Sequence, residues 1–128
     1  MCLVTNTPIP TILDKDLVVY KVLYKVGNRI YSRYQDYRYD IGKVYHDEEI
    51  GVISSEIIGQ KIPVNIVYKA YHACTTLDRA NEHIGKIRKC RIYKCIIPKG
   101  SKIFFDRNCD DIASDTIIIK RRLLFNRF

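Results

Sequence analysis

The sequence has no tryptophan, one methionine, four prolines and six glycines among its 128 residues. So few chain-breaking residues, together with 47% hydrophobic residues, exclude a disordered or low-complexity chain. The longest uncharged apolar stretches, such as 17–20 and 117–119, fall far short of the roughly 20 residues that a membrane-spanning helix needs. We therefore expect a single domain over 1–128 with no membrane contact, large enough to bury about two-thirds of its unfolded surface.

The beginning of the chain also lacks a basic segment followed by an apolar one, the pattern that predicts a secretory signal peptide. We expect a cytoplasmic protein that is not secreted. No Cys-x-x-Cys spacing occurs, and reduced thiols are the default in such a chain. We expect packed thiols and no disulfide at the five cysteines, which are Cys2, Cys74, Cys90, Cys95 and Cys109.

Isoleucine and tyrosine are frequent, and both favour strands. The near-continuous apolarity of 17–25 predicts a central strand covered on both faces, joined to a second strand over 29–34 by a hairpin at Gly27 and Asn28. Further strands are predicted over 65–74, 89–97, 101–105 and 116–124, with short strands or a loop over 46–64. The fold class is α+β, a compact domain of about six or seven mostly antiparallel strands with one or two helices. We expect 1–15 to be an irregular N-terminal arm and 120–128 to be a basic C-terminal end.

One helix is clearly predicted, directly after the strand over 65–74. Either Thr75 or Thr76 can cap it, because a threonine oxygen accepts a hydrogen bond from a free amide of the first turn. Gly85 is expected to end it. The apolar residues that recur at helical spacing are Leu77, Ala80, Ile84 and Ile87.

Few residues suggest catalysis or metal binding. His72 and Cys74 share a face of the predicted strand, which brings a base near a thiol, and an N-terminal Cys2 would have its own α-amine as a base. A zinc site built from His72, Cys74, Cys90 and Cys95 is disfavoured, because the odd separation of the last two points them to opposite faces. Packing is the simpler interpretation of all these residues, so we expect no metal and no cofactor.

The formal net charge of +8 raises the alternative of nucleic-acid binding. Tyrosines beside basic residues are typical of surfaces that stack single-stranded bases. Strand alternation, however, divides the charges of 86–94 between two faces. The basic residues of this alternative are Lys86, Arg88, Lys89, Arg91, Lys94, Arg121 and Arg122.

Several strings resemble a family of small proteins from phages and Bacteroidetes genomes. They are Met1-Cys2-Leu3, 19–23, the tyrosine-rich 32–45, 70–80, 94–101 and 111–115. The resemblance covers most of the chain and implies a phage or mobile-element source. It also implies a location in the host cytoplasm or in the virion.

The order of these strings is also similar to the ADP-ribosyltransferase fold, which implies a degenerate split sheet. The similarity places Lys21 where that family has arginine, Thr75 and Thr76 where it has Ser-Thr, and Asp115 where it has the catalytic glutamate. Lysine cannot reproduce the two-pronged contacts of arginine, and aspartate is one methylene shorter than glutamate. These departures argue against NAD transfer and leave a pocket for a nucleotide or a protein segment.

We therefore expect a phage- or prophage-type accessory protein that binds a host protein or a nucleotide without catalysis. Three alternatives stay open: a divergent ADP-ribosyltransferase-like or nucleotide-processing enzyme, a basic single-stranded nucleic-acid-binding protein, and a virion component. The sequence does not indicate an oligomeric state. The residues expected to bind the ligand are Lys21, Tyr34, Gln35, Tyr37, His72, Thr75 and Thr76.

Overall fold

The computed structural model describes residues 3–32, 37–56, 63–85 and 89–123. Within these ranges the chain forms thirteen short strands and the helix α1 (Leu77–Ile84). The strands are β1 (Leu3–Thr5), β2 (Thr11–Ile12), β3 (Leu17–Val26), β4 (Arg29–Ser32), β5 (Arg38–Tyr39), β6 (Val44–His46), β7 (Gly51–Glu56), β8 (Pro63–Lys69), β9 (Tyr71–Cys74), β10 (Cys90–Ile97), β11 (Lys102–Phe105), β12 (Asp111–Ser114) and β13 (Thr116–Arg122).

The strands form two sheets. The larger has ten strands in the order β2-β11-β12-β9-β3-β10-β13-β6, with β4 paired to β3 and β5 paired to β4. The smaller has the order β1-β8-β7. Every pairing in both is antiparallel. The α+β class and the single domain are confirmed, but the strands are shorter and more numerous than the predicted six or seven. No helix of the described ranges is long and apolar enough to cross a membrane.

The predicted central strand is confirmed. β3 pairs with β10 along eight register positions, from Leu17↔Ile97 to Tyr24↔Cys90. One face carries Val19 and Leu23 into the main core, and the other carries Val22 into the core beneath α1. The hairpin to β4 is also as predicted, with Gly27 at a φ of +60° that favours glycine.

The predicted single strand over 65–74 is wrong. It is two strands, β8 and β9, separated at Ala70. β8 lies in the smaller sheet, where Val67 packs with Leu3, whereas β9 pairs with β12 in the larger sheet. Hydrophobic patterning does not distinguish one long strand from two that change sheets, because the backbone is extended on both sides of the bend.

The N-terminal end of the chain differs from the prediction as well. The expected irregular arm contains β1, whose Leu3 and Thr5 are buried, and β2, which pairs with β11. The segment 120–128, predicted as a basic C-terminal end, begins within β13, which continues to Arg122. Residues 124–128 lie outside the described ranges.

The helix follows the prediction closely. Thr76 is the N-cap, and its side-chain oxygen accepts a hydrogen bond of 3.1 Å from the Arg79 amide. Such a cap contributes about 1 kcal/mol to helix stability. Ala80 and Ile84 are buried against β3 and β10, and Gly85 ends the helix at a φ of +51°.

Candidate ligand-binding cleft

The larger sheet opens between β3 and β9. These two strands share one register position, Tyr20↔Cys74. Next to it, the Lys21 Nζ donates a hydrogen bond to the backbone carbonyl of His72. A cleft of about 610 Å³ lies at this opening, within the range of ordinary small-molecule sites.

Tyrosine rings form one group of residues at the cleft, which we call the tyrosine wall: Tyr37, Tyr39 and Tyr71. The ring centroids of Tyr37 and Tyr39 are 5.0 Å apart, and those of Tyr37 and Tyr71 are 6.2 Å apart. Tyr45 backs the wall, 5.0 Å from Tyr39. Tyr39 is 4% exposed and Tyr37 is 42% exposed, so Tyr37 is the member that offers most of its ring to a ligand.

Lys21 stands between the tyrosine wall and β9. Its ammonium lies 5.6 Å from the centroid of the Tyr39 ring, a distance at which a cation is attracted to an aromatic face. Burial of the ammonium lowers the Lys21 pKa from its usual value. The side chain as a whole is half-buried, so its end is enclosed more than its stem.

His72 lines the same cleft with both ring nitrogens buried and without a hydrogen-bond partner among the described residues. Burial, helped by the positive charge of Lys21, lowers the His72 pKa to about 4. The ring is therefore neutral at neutral pH, with one nitrogen able to donate and the other able to accept.

A second group of cleft residues is polar and comes from three elements: Cys74 on β9, His83 on α1 and Asp111 on β12. Cys74 and Asp111 face each other across the β9–β12 pairing. Arg79 clamps the Asp111 carboxylate with its Nε at 3.3 Å and its Nη2 at 3.1 Å. His83 Nε2 lies 3.4 Å from Asp111 Oδ1.

The Cys74 thiol is poorly suited to act as a nucleophile as it stands. Burial, and then the negative charge of Asp111, raise the Cys74 pKa to about 12. A thiol is reactive mainly as the thiolate, so the predicted partnership of His72 and Cys74 brings the two side chains to one cleft without activating the sulfur. Cys90 and Cys95 lie in different cores, below and above the sheet, as their odd spacing predicts.

Three predicted site residues lie elsewhere. Thr76 is the helix cap, and the Thr75 hydroxyl donates to the carbonyls of Cys109 and Asp110 at 2.7 and 3.0 Å. Asp115 is buried, and its Oδ1 accepts hydrogen bonds from the Lys102 amide at 3.1 Å and from the Thr116 hydroxyl at 2.9 Å. None of Thr75, Thr76 and Asp115 is among the described residues that line the cleft. Their proposed roles at the site are corrected to structural ones, because their side-chain oxygens are engaged by backbone groups and, for Asp115, also by the Thr116 hydroxyl.

Some predicted residues lie outside the described ranges: Cys2, Tyr34, Gln35, Lys86 and Arg88. The remaining basic residues are divided between the two faces of the sheet, as the alternation of side chains along a strand predicts. Arg91 pairs with Leu23 and Lys94 with Tyr20, on opposite faces of the sheet. Lys94 and Arg121 are cross-strand neighbours, as are Tyr93 and Arg122, while Lys89 is exposed just before β10.

Sequence reasoning missed His83 and Asp111. The only local signal was the spacing of Arg79 and His83, four residues apart on one helix face. Their meeting with Cys74 depends on strand β12 (Asp111–Ser114), which is not among the predicted strands. The cleft therefore combines predicted residues (Lys21, Tyr37, His72 and Cys74) with unpredicted ones.

Comparison with protein-family models, curated proteins and solved structures finds no match to this chain.

Proposed function

We propose that this protein binds a small nucleotide-like ligand, one with an aromatic ring and an anionic group, in the cleft between β3 and β9. The expectation from the sequence was a phage-type accessory protein that binds a host protein or a nucleotide. The cleft favours the nucleotide, because a concave site of about 610 Å³ suits a small molecule better than a protein surface. The observation that carries the proposal is the meeting of Lys21, His72 and the tyrosine wall in that cleft.

The tyrosine wall supports an aromatic ring as part of the ligand. Tyr37 is packed edge-on against Tyr71 and tilted against Tyr39, so its ring is held by its neighbours while much of it is exposed. A ring held in this way binds a planar base by stacking, and one such contact contributes about 1–3 kcal/mol.

Lys21 supports an anionic group. Among the described residues its ammonium has no carboxylate partner; it contacts the His72 carbonyl and the Tyr39 ring. The other lysine of the cleft, Lys69, is already 3.5 Å from Asp47. An anion beside Lys21 would supply the opposite charge that this enclosed cation lacks, and hydrogen bonds to charged groups are the stronger ones.

The carboxylates of the cleft already have partners within the protein. Asp111 is clamped by Arg79, and Asp106 accepts hydrogen bonds from the amides of Asp110 and Asp111. Arg107, in the same turn, adds a further positive charge at the cleft. His72 has a free donor and a free acceptor, which suits the mixed polar edge of a nucleobase or a ribose hydroxyl.

Isothermal titration calorimetry on the full chain tests the proposal. The probes are a nucleoside, its mono- and diphosphates, a cyclic mononucleotide, a dinucleotide and a single-stranded oligonucleotide. We expect saturable binding of at least one phosphorylated mononucleotide or dinucleotide and weaker binding of the nucleoside. Lys21→Met should weaken that binding about tenfold or more, because a charge-assisted hydrogen bond contributes about 1.5–3 kcal/mol.

Lys25→Met is the matched control, since Lys25 is an exposed lysine on the same strand that does not line the cleft. It should bind like the unaltered protein. Equal affinity in Lys21→Met, or no binding of any small nucleotide, overturns the proposal. Binding of the oligonucleotide alone would instead favour the single-stranded nucleic-acid alternative.

A further inference from the structure

Three potential metal ligands of different chemistry meet at the cleft. One side-chain atom each from Cys74, His83 and Asp111 lies within 4.8 Å of the other two. The residues come from β9, α1 and β12, so the set is made by the packing of three elements and not by one local loop. The Asp111 side chain is 13% exposed and that of His83 is 23% exposed, which leaves the cluster enclosed but reachable.

The separations are close to those of ligands that share one ion. Two ligands of a tetrahedral zinc ion, each about 2.0–2.1 Å from the metal, lie roughly 3.3 Å apart. His83 Nε2 and Asp111 Oδ1 are 3.4 Å apart. A sulfur and a nitrogen ligand lie roughly 3.6 Å apart. Cys74 Sγ lies within 4.8 Å of the other two donor atoms, so it has to approach His83 Nε2 by about 1.2 Å at most.

The donor set favours zinc over other common ions. Calcium and magnesium prefer oxygen ligands alone, whereas one thiolate, one imidazole and one carboxylate suit a borderline ion such as Zn²⁺. On binding, the Cys74 thiol would release its proton to solvent and form the sulfur–zinc bond. Three protein ligands leave the fourth tetrahedral position open.

Arg79 fits such a site as a supporting group. It holds Asp111 from the side of α1 through Nε and Nη2, and each carboxylate oxygen keeps a second lone pair for a metal. Metal-ligating carboxylates are commonly fixed by hydrogen bonds of this kind. Arg79 and His83 lie one turn apart on the same helix, so the packing of α1 against the sheet positions both side chains together.

A second observation points to a ligand here. His72 lies two residues from Cys74 on the same strand, lines the same cleft, and has both ring nitrogens buried without a partner. It lies outside the group of three. Its unsatisfied ring leaves a donor and an acceptor for a water or ligand atom in this cleft.

We propose that Cys74, His83 and Asp111 bind one zinc ion at the cleft, with the fourth position open to water or to the bound ligand. This inference does not depend on the nucleotide proposal, because the three side chains would hold the ion whatever else the cleft binds.

Cobalt(II) is the direct probe, since it replaces zinc and is coloured. The full chain is stripped with a chelator, reduced, and titrated with Co²⁺. We expect one equivalent to bind with the visible absorption of four-coordinate cobalt and a thiolate-to-cobalt charge-transfer band, and one equivalent of Zn²⁺ to remove both. His83→Asn should weaken binding at least tenfold, and Cys74→Ser should abolish the charge-transfer band.

Cys109→Ser is the control, because Cys109 is an exposed thiol outside the cluster. It should behave like the unaltered protein. The proposal is overturned if no four-coordinate cobalt spectrum forms, or if the band survives in both Cys74→Ser and His83→Asn. The group is then only an ion pair of Arg79 and Asp111 with His83 beside it.

Circular dichroism checks that each variant is folded. If Cys74→Ser does not fold, the His83→Asn variant decides the outcome alone. Lys21→Met separates the two proposals, because it should lose nucleotide affinity and keep cobalt binding. His83→Asn should lose more of its cobalt binding than of its nucleotide affinity.

Discussion

The ammonium of Lys21 on β3 donates a hydrogen bond to the backbone carbonyl of His72 on β9. It lies beside Tyr20↔Cys74, the one register position that the two strands share. Within the described ranges the two strands pair at no further position, and the cleft lies where their pairing ends. The lysine that bridges the strands at this point is also the cation available to a ligand.

The first prediction concerns the pH dependence of stability. The Lys21 pKa is lower in the folded protein than its ordinary 10.5, so below pH 10.5 the unfolded chain binds the proton more readily than the folded one. The resulting decrease in the free energy of unfolding is fully present below the Lys21 pKa of the folded protein. It disappears as the pH approaches 10.5. The free energy of unfolding of the unaltered protein, relative to that of Lys21→Met, should therefore be larger near pH 10.5 than at a pH below the folded Lys21 pKa.

Urea denaturation at a series of pH values measures this difference, which rises by at most about 1.4 kcal/mol per pH unit for one proton. Tyr39, whose pKa is raised by burial, is present in both proteins, so its effect cancels. Lys25→Met serves as the control for the loss of an exposed lysine from the same strand. A flat or falling difference for Lys21→Met would mean that the ammonium is fully solvated in the folded state.

The second prediction separates the ring of Tyr37 from its hydroxyl. Tyr37→Ala should weaken nucleotide binding by about 1–3 kcal/mol, roughly fivefold to a hundredfold, because the stacking surface is lost. Tyr37→Phe keeps the ring and loses only the contact between the Tyr37 and Tyr71 hydroxyls, so its affinity should stay near that of the unaltered protein. Calorimetry measures both. An equal loss in the two variants would assign recognition to the hydroxyl and not to stacking.

The third prediction concerns Asp115, the residue that the ADP-ribosyltransferase resemblance would make catalytic. Its Oδ1 satisfies the Lys102 amide and the Thr116 hydroxyl. Asp115→Ala should lower the free energy of unfolding by about 1–3 kcal/mol, because both donors lose their partner, while the nucleotide affinity of the folded protein stays unchanged. Asp115→Asn keeps an acceptor oxygen and should cost less. Unchanged stability together with lost ligand binding or turnover would show that Asp115 acts in binding or catalysis and not in stabilising the fold.

Much of the local structure could be predicted from the sequence. The centre of β3, the β3–β4 hairpin, the Thr76 cap and the end of α1 at Gly85 were all indicated by residues within a few positions of each other. Such features depend on local backbone preferences and on periodicity, which a single segment carries by itself. The prediction of one strand over 65–74 was wrong because the change of sheet at Ala70 depends on which strands lie alongside.

The candidate site also has a part that the sequence determined and a part that the tertiary structure decided. The sequence alone determined that Lys21, Tyr37, His72 and Cys74 were polar or aromatic residues placed on or near strands, and that Thr76 would cap a helix. Only the tertiary structure decided that β9 leaves β3 after one shared position and that β12 faces β9. Those two pairings, together with the docking of α1, bring His83 and Asp111 to Cys74 and leave Asp115 in a buried turn. The physical reason is that strand partners are selected by long-range packing and hydrogen bonding between distant segments, which neither composition nor spacing records.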